Sequence, residues 1–365
     1  MQVHRRQPSR HIELTFDPKV SDLEATRGEI STCDAIEKTL FLAHDESSAV
    51  ERLTWDGQRY ADHQRFELAD FISLPKDDGE MDIEGLAMRP PYLYVTGSMS
   101  TKRKKAKEDK DDIEAIERLA SLKVDPNRFT LARIPCEVND GIWTPVSKRS
   151  FEDETLRPSA LDGGRESTVL TEQLHSDPHL APFMKLPCKD NGFDIEGIAV
   201  ANDRVLLGLR GPVLRGWAIV LELDLVEMDG HLRFANRGDR ERAFHKHLLN
   251  LAGMGVRELR YRPGSDDLFL LAGPTMDLDG TISLWKLADG LPVDRDTIHR
   301  DVQRLFDVVD GSEVDHGCDK AEGFAILPNG NFLIAYDSPM PHRFRQDNGV
   351  VVDEFSGDGS VLAAG

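Results

Sequence analysis

The chain has 365 residues, of which 45 are Lys or Arg and 65 are Asp or Glu, so its formal net charge at pH 7 is −20. A chain of this length forms one large domain or two ordinary ones and needs no disulfide or metal ion to fold. The negative charge disfavours binding to nucleic acid or to an anionic membrane surface, because both would repel the protein.

The cysteines and the N-terminal sequence indicate a reducing compartment. Cys33, Cys136, Cys188 and Cys318 are far apart and form no CxxC motif. Such spacing is a poor disulfide framework and a poor zinc site. The N-terminal residues are basic but lack the apolar core of a signal peptide, and no stretch has the roughly 18 apolar residues of a membrane helix. We therefore expect a cytoplasmic location.

A short pattern recurs along the chain: an acidic residue, often followed by Gly, then small and apolar residues, a turn and a second apolar run. Clear copies begin at Glu84, Glu196, Glu258 and Glu322, and a weaker copy begins at Glu29. The last three clear copies are 62 and 64 residues apart. About four short strands per repeat of roughly 60 residues are typical of a β-propeller. We expect an all-β chain that forms a single propeller of five or six four-stranded blades over residues 1–365.

Segments outside the blade pattern have separate predictions. The apolar stretch 349–355 is expected to pair with 12–16 and close the ring, which would remove the open sheet edges. Segment 150–190 is punctuated by Pro and Gly and has no regular period, so we expect it to run over one face of the propeller.

Two helices are predicted outside the blades. Apolar residues recur at helical spacing in 108–122, which belongs to a basic and helical insertion at 99–126. The second predicted helix is 239–251, with Asp239 as its N-cap and Gly253 just beyond its end.

The repeated Glu indicates where a functional site would form. The first strand of a propeller blade lines the central channel, so equivalent positions of successive blades converge. Residues two apart in a strand share a face, which adds an Asp to two of the copies and places Lys320 beside a third. The sequence thus predicts a ring of carboxylates at one mouth of the channel: Asp82, Glu84, Asp194, Glu196, Glu258 and Glu322.

Converging carboxylates repel one another, so the ring must bind a cation, hold protons or pair with bases. A hard cation such as Ca²⁺ takes 6–8 oxygen ligands, which carboxylates and water can supply. We predict that five of these residues are the metal ligands: Asp82, Glu84, Asp194, Glu196 and Glu322.

Basic residues near the same mouth leave a second interpretation open. Arg210 and Lys320 are predicted to hold an anionic oxygen ligand, and His44 is a candidate general base because histidine titrates near neutral pH. Alternatively, the Glu-Gly pairs are architectural, and Lys320 and Arg257 only neutralise the carboxylates.

Four segments carry a resemblance to a known family. They are 82–87 (DIEGLA), 127–135 (NRFTLARIP), 193–199 (FDIEGIA) and 321–325 (AEGFA). Together they resemble a bacterial β-propeller family known as domain of unknown function 3616, over nearly the whole chain. The resemblance implies a propeller and carries no assigned activity.

The Glu-Gly-Ile-Ala signature is also distantly similar to phytase-like esterase propellers and to calcium-dependent lactonase propellers. In those proteins, acidic residues at the channel mouth hold a metal that polarises the substrate. That similarity implies metal-binding roles for Glu84, Glu196 and Glu322.

Two functions follow from these observations. The first is a metal-dependent hydrolase of a phosphoester or a lactone, with its site at the channel mouth. The alternative is a non-catalytic propeller scaffold that binds a protein partner or a small ligand. The sequence contains no GxSxG, GxxxxGK[ST] or HExxH motif that would select a particular reaction.

Overall fold

The structure is a computed structural model that is described over most of the chain. The described residues are 5–44, 46–77, 79–107, 109–201, 203–235, 243–262, 264–276, 278–291, 295–308, 317–346 and 348–357.

The N-terminal part contains two strands, a short helix and the first sheet. The sheet is an antiparallel meander in which every strand pairs with the next, and its second strand is buried along its whole length. The elements are β1 (Arg5–Arg6), β2 (Arg10–Thr15), α1 (Leu23–Gly28), β3 (Ile30–Ile36), β4 (Thr39–His44), β5 (Ala49–Trp55) and β6 (Tyr60–Glu67).

The second sheet is interrupted by long connections. Its strand order is β7-β8-β11-β15, and β9 and β10 form a separate two-stranded ribbon with a helix between them. The elements are β7 (Ile83–Arg89), β8 (Tyr92–Gly97), β9 (Lys102–Arg103), α2 (Asp112–Ala120), β10 (Leu122–Lys123), β11 (Leu131–Asn139), β12 (Ile142–Pro145), β13 (Arg149–Phe151), β14 (Glu154–Leu156) and β15 (Ser159–Leu161).

The third sheet has the order β16-β17-β18-β20, while β19 joins the far end of β18 to the second sheet. A short helix, α3 (Val169–Leu174), precedes it. The strands are β16 (Asp194–Ala201), β17 (Arg204–Leu214), β18 (Trp217–Met228), β19 (His231–Phe234) and β20 (Phe244–Asn250).

The fourth sheet has the order β21-β22-β23-β25, with β1 added in parallel at its edge, and β24 pairs with β20 of the third sheet. The fifth has the order β26-β27-β29-β2. The strands are β21 (Gly255–Arg262), β22 (Asp267–Gly273), β23 (Ile282–Leu287), β24 (Thr297–His299), β25 (Gln303–Val308), β26 (Lys320–Ile326), β27 (Phe332–Asp337), β28 (Phe344–Arg345) and β29 (Gly349–Phe355).

The first strands of the sheets pack around a common axis. In the described residues β3 lies against β7, β7 against β16, β16 against β21, β21 against β26, and β26 against β3. A closed ring of radially arranged antiparallel sheets is a β-propeller. The predicted all-β fold is therefore confirmed.

The ring closes through strands from opposite ends of the chain. Strand β2 pairs antiparallel with β29, with Ile12 opposite Val352 and Leu14 opposite Val350. This confirms the predicted pairing of the two terminal stretches. Closure leaves no open sheet edge at the junction of the chain ends, where another chain would otherwise pair.

The core lies between neighbouring sheets. Each of the hydrophobic clusters in the described residues contains side chains from two adjacent sheets, such as Leu131 of the second and Leu207 of the third. Neighbouring sheets therefore stabilise one another, and the connections at the channel mouth are left to carry polar groups.

One of the two helix predictions is correct. Helix α2 lies within the predicted range 108–122, and all of its side chains are at least partly exposed. The predicted helix at 239–251 is wrong: Phe244–Asn250 is a strand, and 239–242 lie outside the described residues. Strands β18 and β24 flank this segment on both sides and supply hydrogen-bond partners that override its helical spacing.

No helix in the described ranges is long and apolar enough to cross a membrane.

The pairing of β2 with β29 predicts that apolar side chains of β2 stabilise the folded protein. Ile12 in β2 is 2% exposed, whereas Ile298 in β24 is 45% exposed. We expect Ile12→Ala to lower the free energy of unfolding by about 2–5 kcal/mol, because it leaves a cavity where the chain ends meet. The matched change Ile298→Ala should cost less than about 1 kcal/mol. Urea unfolding of both variants measures the difference, and equal costs would contradict a closing role for β2.

Candidate functional site at the channel mouth

The first strands share a local irregularity at the channel mouth. Their pairing with the second strand shifts register at the same place in every sheet. The shift leaves one residue of the first strand out of the ladder in three sheets, and a residue with the glycine that follows it in the third and fifth sheets. The first residue left out is equivalent in all five strands. These residues are Ser31, Glu84, Glu196, Arg257 and Glu322.

The register corrects the predicted position of Glu258. The fourth first strand places Arg257 at the position held by Glu84, Glu196 and Glu322 in other strands, and Glu258 follows it. The prediction of Glu258 in the mouth ring is therefore wrong by one residue. The fourth copy lacks the Glu-Gly pair, so the sequence alone did not show which residue is equivalent.

Glu258 lies in the interior of the ring, at the level where other first strands have glycine. A Cβ atom on Gly197 would lie 2.8 Å from Glu258 Oε1, so the glycine leaves space for this carboxylate. Arg260 donates to Glu258 through Nη1 at 2.8 Å and Nη2 at 2.9 Å, and the Thr32 hydroxyl also donates to it. This buried ion pair belongs to the packing of the first strands.

A cavity of about 360 Å³ opens at the channel mouth. Among the described residues, twelve Lys or Arg and nine Asp or Glu side chains line it. Seven of the basic residues come from 102–123, which contains the β9–β10 ribbon and α2. The cavity is thus richer in positive than in negative side chains, although the whole chain has a net charge of −20.

Most of the predicted site residues meet in this cavity. All five predicted metal ligands and both predicted anion-binding residues line it: Asp82, Glu84, Asp194, Glu196, Glu322, Arg210 and Lys320.

His44 has a different environment. Its side chain is buried, with Nε2 lying 3.4 Å from Asp22 Oδ2 and 3.5 Å from Thr26 Oγ1, and it is not one of the residues that line the cavity. Its role as a general base stays a prediction.

Arginines pair with the carboxylates at the centre of the mouth. Arg210 donates to Glu196, and its Nη1 is 3.7 Å from Asp194 Oδ2. Arg257 Nη1 lies 2.7 Å from Glu322 Oε1 and 3.5 Å from Glu196 Oε2, so this guanidinium contacts the first strands on both sides of its own strand. The alternation of charges removes much of the repulsion that a ring of carboxylates alone would have.

The second sheet contributes a similar pairing at the edge of the cavity. Lys102 donates to Asp82, and Arg128 Nη1 lies 2.7 Å from Asp82 Oδ2. Arg128 sits in the 3-10 helix Pro126–Phe129, is 2% exposed and donates through Nη2 to Ser100 Oγ at 2.7 Å. Sequence reasoning missed Arg128 as a site residue, although it lies in segment 127–135 that carries the family resemblance.

The ion pairs bear directly on calcium binding. Four of the five predicted ligands have carboxylate oxygens in contact with Lys or Arg: Asp82, Asp194, Glu196 and Glu322. In the described ranges no three or more His, Cys, Asp or Glu side chains are grouped as metal ligands would be. This arrangement does not fit a calcium ion held by the predicted carboxylates, and calcium binding stays a prediction.

Burial changes the protonation of two carboxyls in the cavity wall. It raises the pKa of Asp194 to about 7, and the neighbouring charge of Glu196 adds to the increase while Arg210 opposes it. Burial also raises the pKa of Glu322 to about 7, with a further contribution from Asp337. Near neutral pH these carboxyls carry less than their full negative charge, so the guanidinium charges beside them are less completely balanced.

Some buried polar atoms of the cavity wall have no hydrogen-bond partner among the described residues. They are Nε of Arg128, Nε of Arg257 and Oδ1 of Asp194. Buried polar atoms are usually satisfied by protein, water or a bound group. Two of the three are guanidinium donors, which suit an anionic acceptor.

The family follows from the sequence match. The model of the family described as "Protein of unknown function (DUF3616)" matches residues 29–353. The chain belongs to this family. No curated protein matches the DUF3616 chain in sequence.

Several solved structures resemble the DUF3616 chain at low identity. Glutaminyl cyclase from Myxococcus xanthus is 11% identical, with a TM-score of 0.40 and coverage of 96% of this chain and 99% of that one. A putative oxidoreductase (glucose dehydrogenase) from Thermus thermophilus is 13% identical, with a TM-score of 0.38 and coverage of 91% and 98%. The Dos1 propeller is 10% identical, with a TM-score of 0.32 and coverage of 85% and 53%. The activities in these names are those of the other proteins.

The buried Glu258 predicts a pH effect on stability. Burial raises the pKa of Glu258 from an ordinary 4.5 to about 7, so the folded protein binds this proton more tightly than the unfolded chain does. The resulting stabilisation is complete below the ordinary pKa and is lost as the pH rises through about 7. We therefore expect the free energy of unfolding of the natural protein, relative to Glu258→Gln, to fall between about pH 5 and about pH 8.

Chemical unfolding of both proteins across this range measures the effect. The Glu258→Gln variant is a near-isosteric control that keeps Arg260 and every other titrating group. Two stability curves that run parallel with pH would show that the pKa of Glu258 is not raised in the folded protein.

Proposed function

We propose that this DUF3616 protein binds a small anionic ligand, a phosphate ester or a carboxylate, in the cavity at the channel mouth. One observation carries the proposal: twelve Lys or Arg side chains, against nine Asp or Glu side chains, line one cavity in a chain whose net charge is −20. A cleft lined by an excess of one charge concentrates ligands of the opposite charge.

The arrangement of the basic residues supports binding of oxyanions. Arg210 of the third sheet, Arg257 of the fourth sheet and Arg128 of the 3-10 helix before β11 line the same cavity. A guanidinium is a planar group whose fork of donors matches a carboxylate or a phosphate. Exposed lysines of 102–123 add positive charge to the cavity wall, and this charge attracts an anion before contact is made.

Neutralisation of the carboxylates does not account for all of the basic residues. Twelve Lys or Arg side chains line the cavity against nine Asp or Glu side chains, an excess of three positive groups, and burial raises the pKa of two of those carboxyls, Asp194 and Glu322, to about 7. Charge beyond what the acidic groups require is expected where the ligand itself is an anion.

Lys320 provides a direct test of anion binding. It lines the cavity, whereas Lys148 is exposed and is not one of the residues that line it. We expect Lys320→Gln to weaken the binding of inorganic phosphate by about tenfold, because a hydrogen bond to a charged group is worth about 1.5–3 kcal/mol.

Titration calorimetry with inorganic phosphate measures this loss. Lys148→Gln removes the same charge elsewhere and should leave the dissociation constant unchanged, and added salt should weaken binding to the natural protein. Equal effects of the two substitutions, or no phosphate binding by the natural protein, would contradict the proposed site.

Hydrolysis of a phosphoester or lactone is a second candidate function. The observation that favours it is the convergence of all five predicted carboxylates on the same cavity: Asp82, Glu84, Asp194, Glu196 and Glu322. A metal held by some of them would act as a Lewis acid on the ester. This function requires carboxylate oxygens to exchange their basic partners for a cation.

Elemental analysis distinguishes the two functions. A metal-dependent hydrolase is expected to retain about one calcium or similar ion per chain when purified without chelator, and Glu84→Gln/Glu196→Gln should abolish it. If phosphate binding persists after chelation and neither protein contains metal, the metal-dependent function is contradicted and anion binding stands.

A further inference from the structure

Part of the cavity wall is apolar and exposed. Pro274, Met276, Leu278 and Ile282 line the cavity, and all lie in the connection from β22 to β23 or at the start of β23. Met276 is 44% exposed and Leu278 is 60% exposed. Single exposed apolar residues are common, but these two lie almost next to each other in the wall of one cavity.

The apolar and basic parts of the wall come from sheets that are not neighbours in the ring. The apolar residues belong to the fourth sheet, and most of the basic residues belong to the insertion in the second. The first strands β21 and β7 are separated by β16 on one side of the ring and by β26 and β3 on the other. The mouth therefore has an apolar sector and a separate basic sector.

The central arginines attach the apolar sector to the charged network. Arg210 Nε donates to the carbonyl of Thr275 at 3.0 Å, and Arg257 Nη2 donates to the carbonyl of Pro274 at 3.4 Å. The same guanidinium groups hold Glu196 and Glu322. An anion bound at these arginines would thus have apolar side chains at its side.

The size of the cavity also bears on the ligand. A volume of about 360 Å³ lies in the range of about 300–1,000 Å³ typical of sites for organic small molecules. An inorganic phosphate or a short carboxylate would fill only part of it. Methionine is a flexible side chain that adapts to apolar groups of different shape.

We infer that the ligand is an amphiphilic anion, a phosphate ester or carboxylate with an apolar alkyl or aryl substituent. Its charged head lies at Arg210 and Arg257, and its substituent lies against Met276 and Leu278. The inference rests on the proposed function, because it identifies the chemical group attached to the anion that this function places in the cavity.

Calorimetry with two phosphate monoesters tests the inference. Methyl phosphate and hexyl phosphate have the same charged head and differ by five methylene groups. We expect the natural protein to bind hexyl phosphate at least about tenfold more tightly, since each buried methylene favours binding by a several-fold factor. The variants Met276→Ser and Leu278→Ser should each reduce that preference severalfold, because they weaken the binding of hexyl phosphate more than that of methyl phosphate.

Met228→Ser is the matched control, because Met228 is 47% exposed and is not one of the residues that line the cavity. It should retain the full preference for hexyl phosphate. Equal binding of the two esters by the natural protein overturns the inference while the proposed function stands. Equal weakening of both esters by Met276→Ser also overturns it, and binding of neither ester by the natural protein overturns the proposed function as well.

Discussion

Side chains from the first strand of every sheet meet around one axis, so charges about 60 residues apart in sequence become neighbours. Burial at this axis makes an isolated charge costly. The structure meets that constraint with pairs: Arg257 bridges Glu196 and Glu322 at the mouth, while Arg260 holds Glu258 farther inside.

The pairing also explains why the mouth suits an anion better than a cation. Carboxylates that already contact guanidinium groups offer few oxygens to a metal, whereas the guanidinium groups have further donors. The Nε atoms of Arg128 and Arg257 have no hydrogen-bond partner in the part of the chain that the structure describes. The basic insertion of the second sheet then extends the same positive character outward from the channel.

Repetition in the sequence made much of the fold predictable. Glu84, Glu196 and Glu322 mark first strands because the Glu-Gly pair recurs with the same apolar flanks, and the terminal strands pair as their apolar stretches suggest. Prediction failed where a local pattern was ambiguous. Phe244–Asn250 has helical spacing, yet the strands on both sides of it supply hydrogen bonds that make it a strand.

The sequence by itself determined that the chain is a propeller. It also determined that most of the predicted carboxylates converge at one mouth of the channel with Arg210 and Lys320, because equivalent positions of the repeats must meet there. Only the tertiary structure decided that Arg257 takes the ring position in place of Glu258. A register shift in pairing sets that position, and a shift of one residue turns a side chain to a different part of the channel. Tertiary structure also brought Arg128 and Met276 to the same cavity, since neither lies in a first strand.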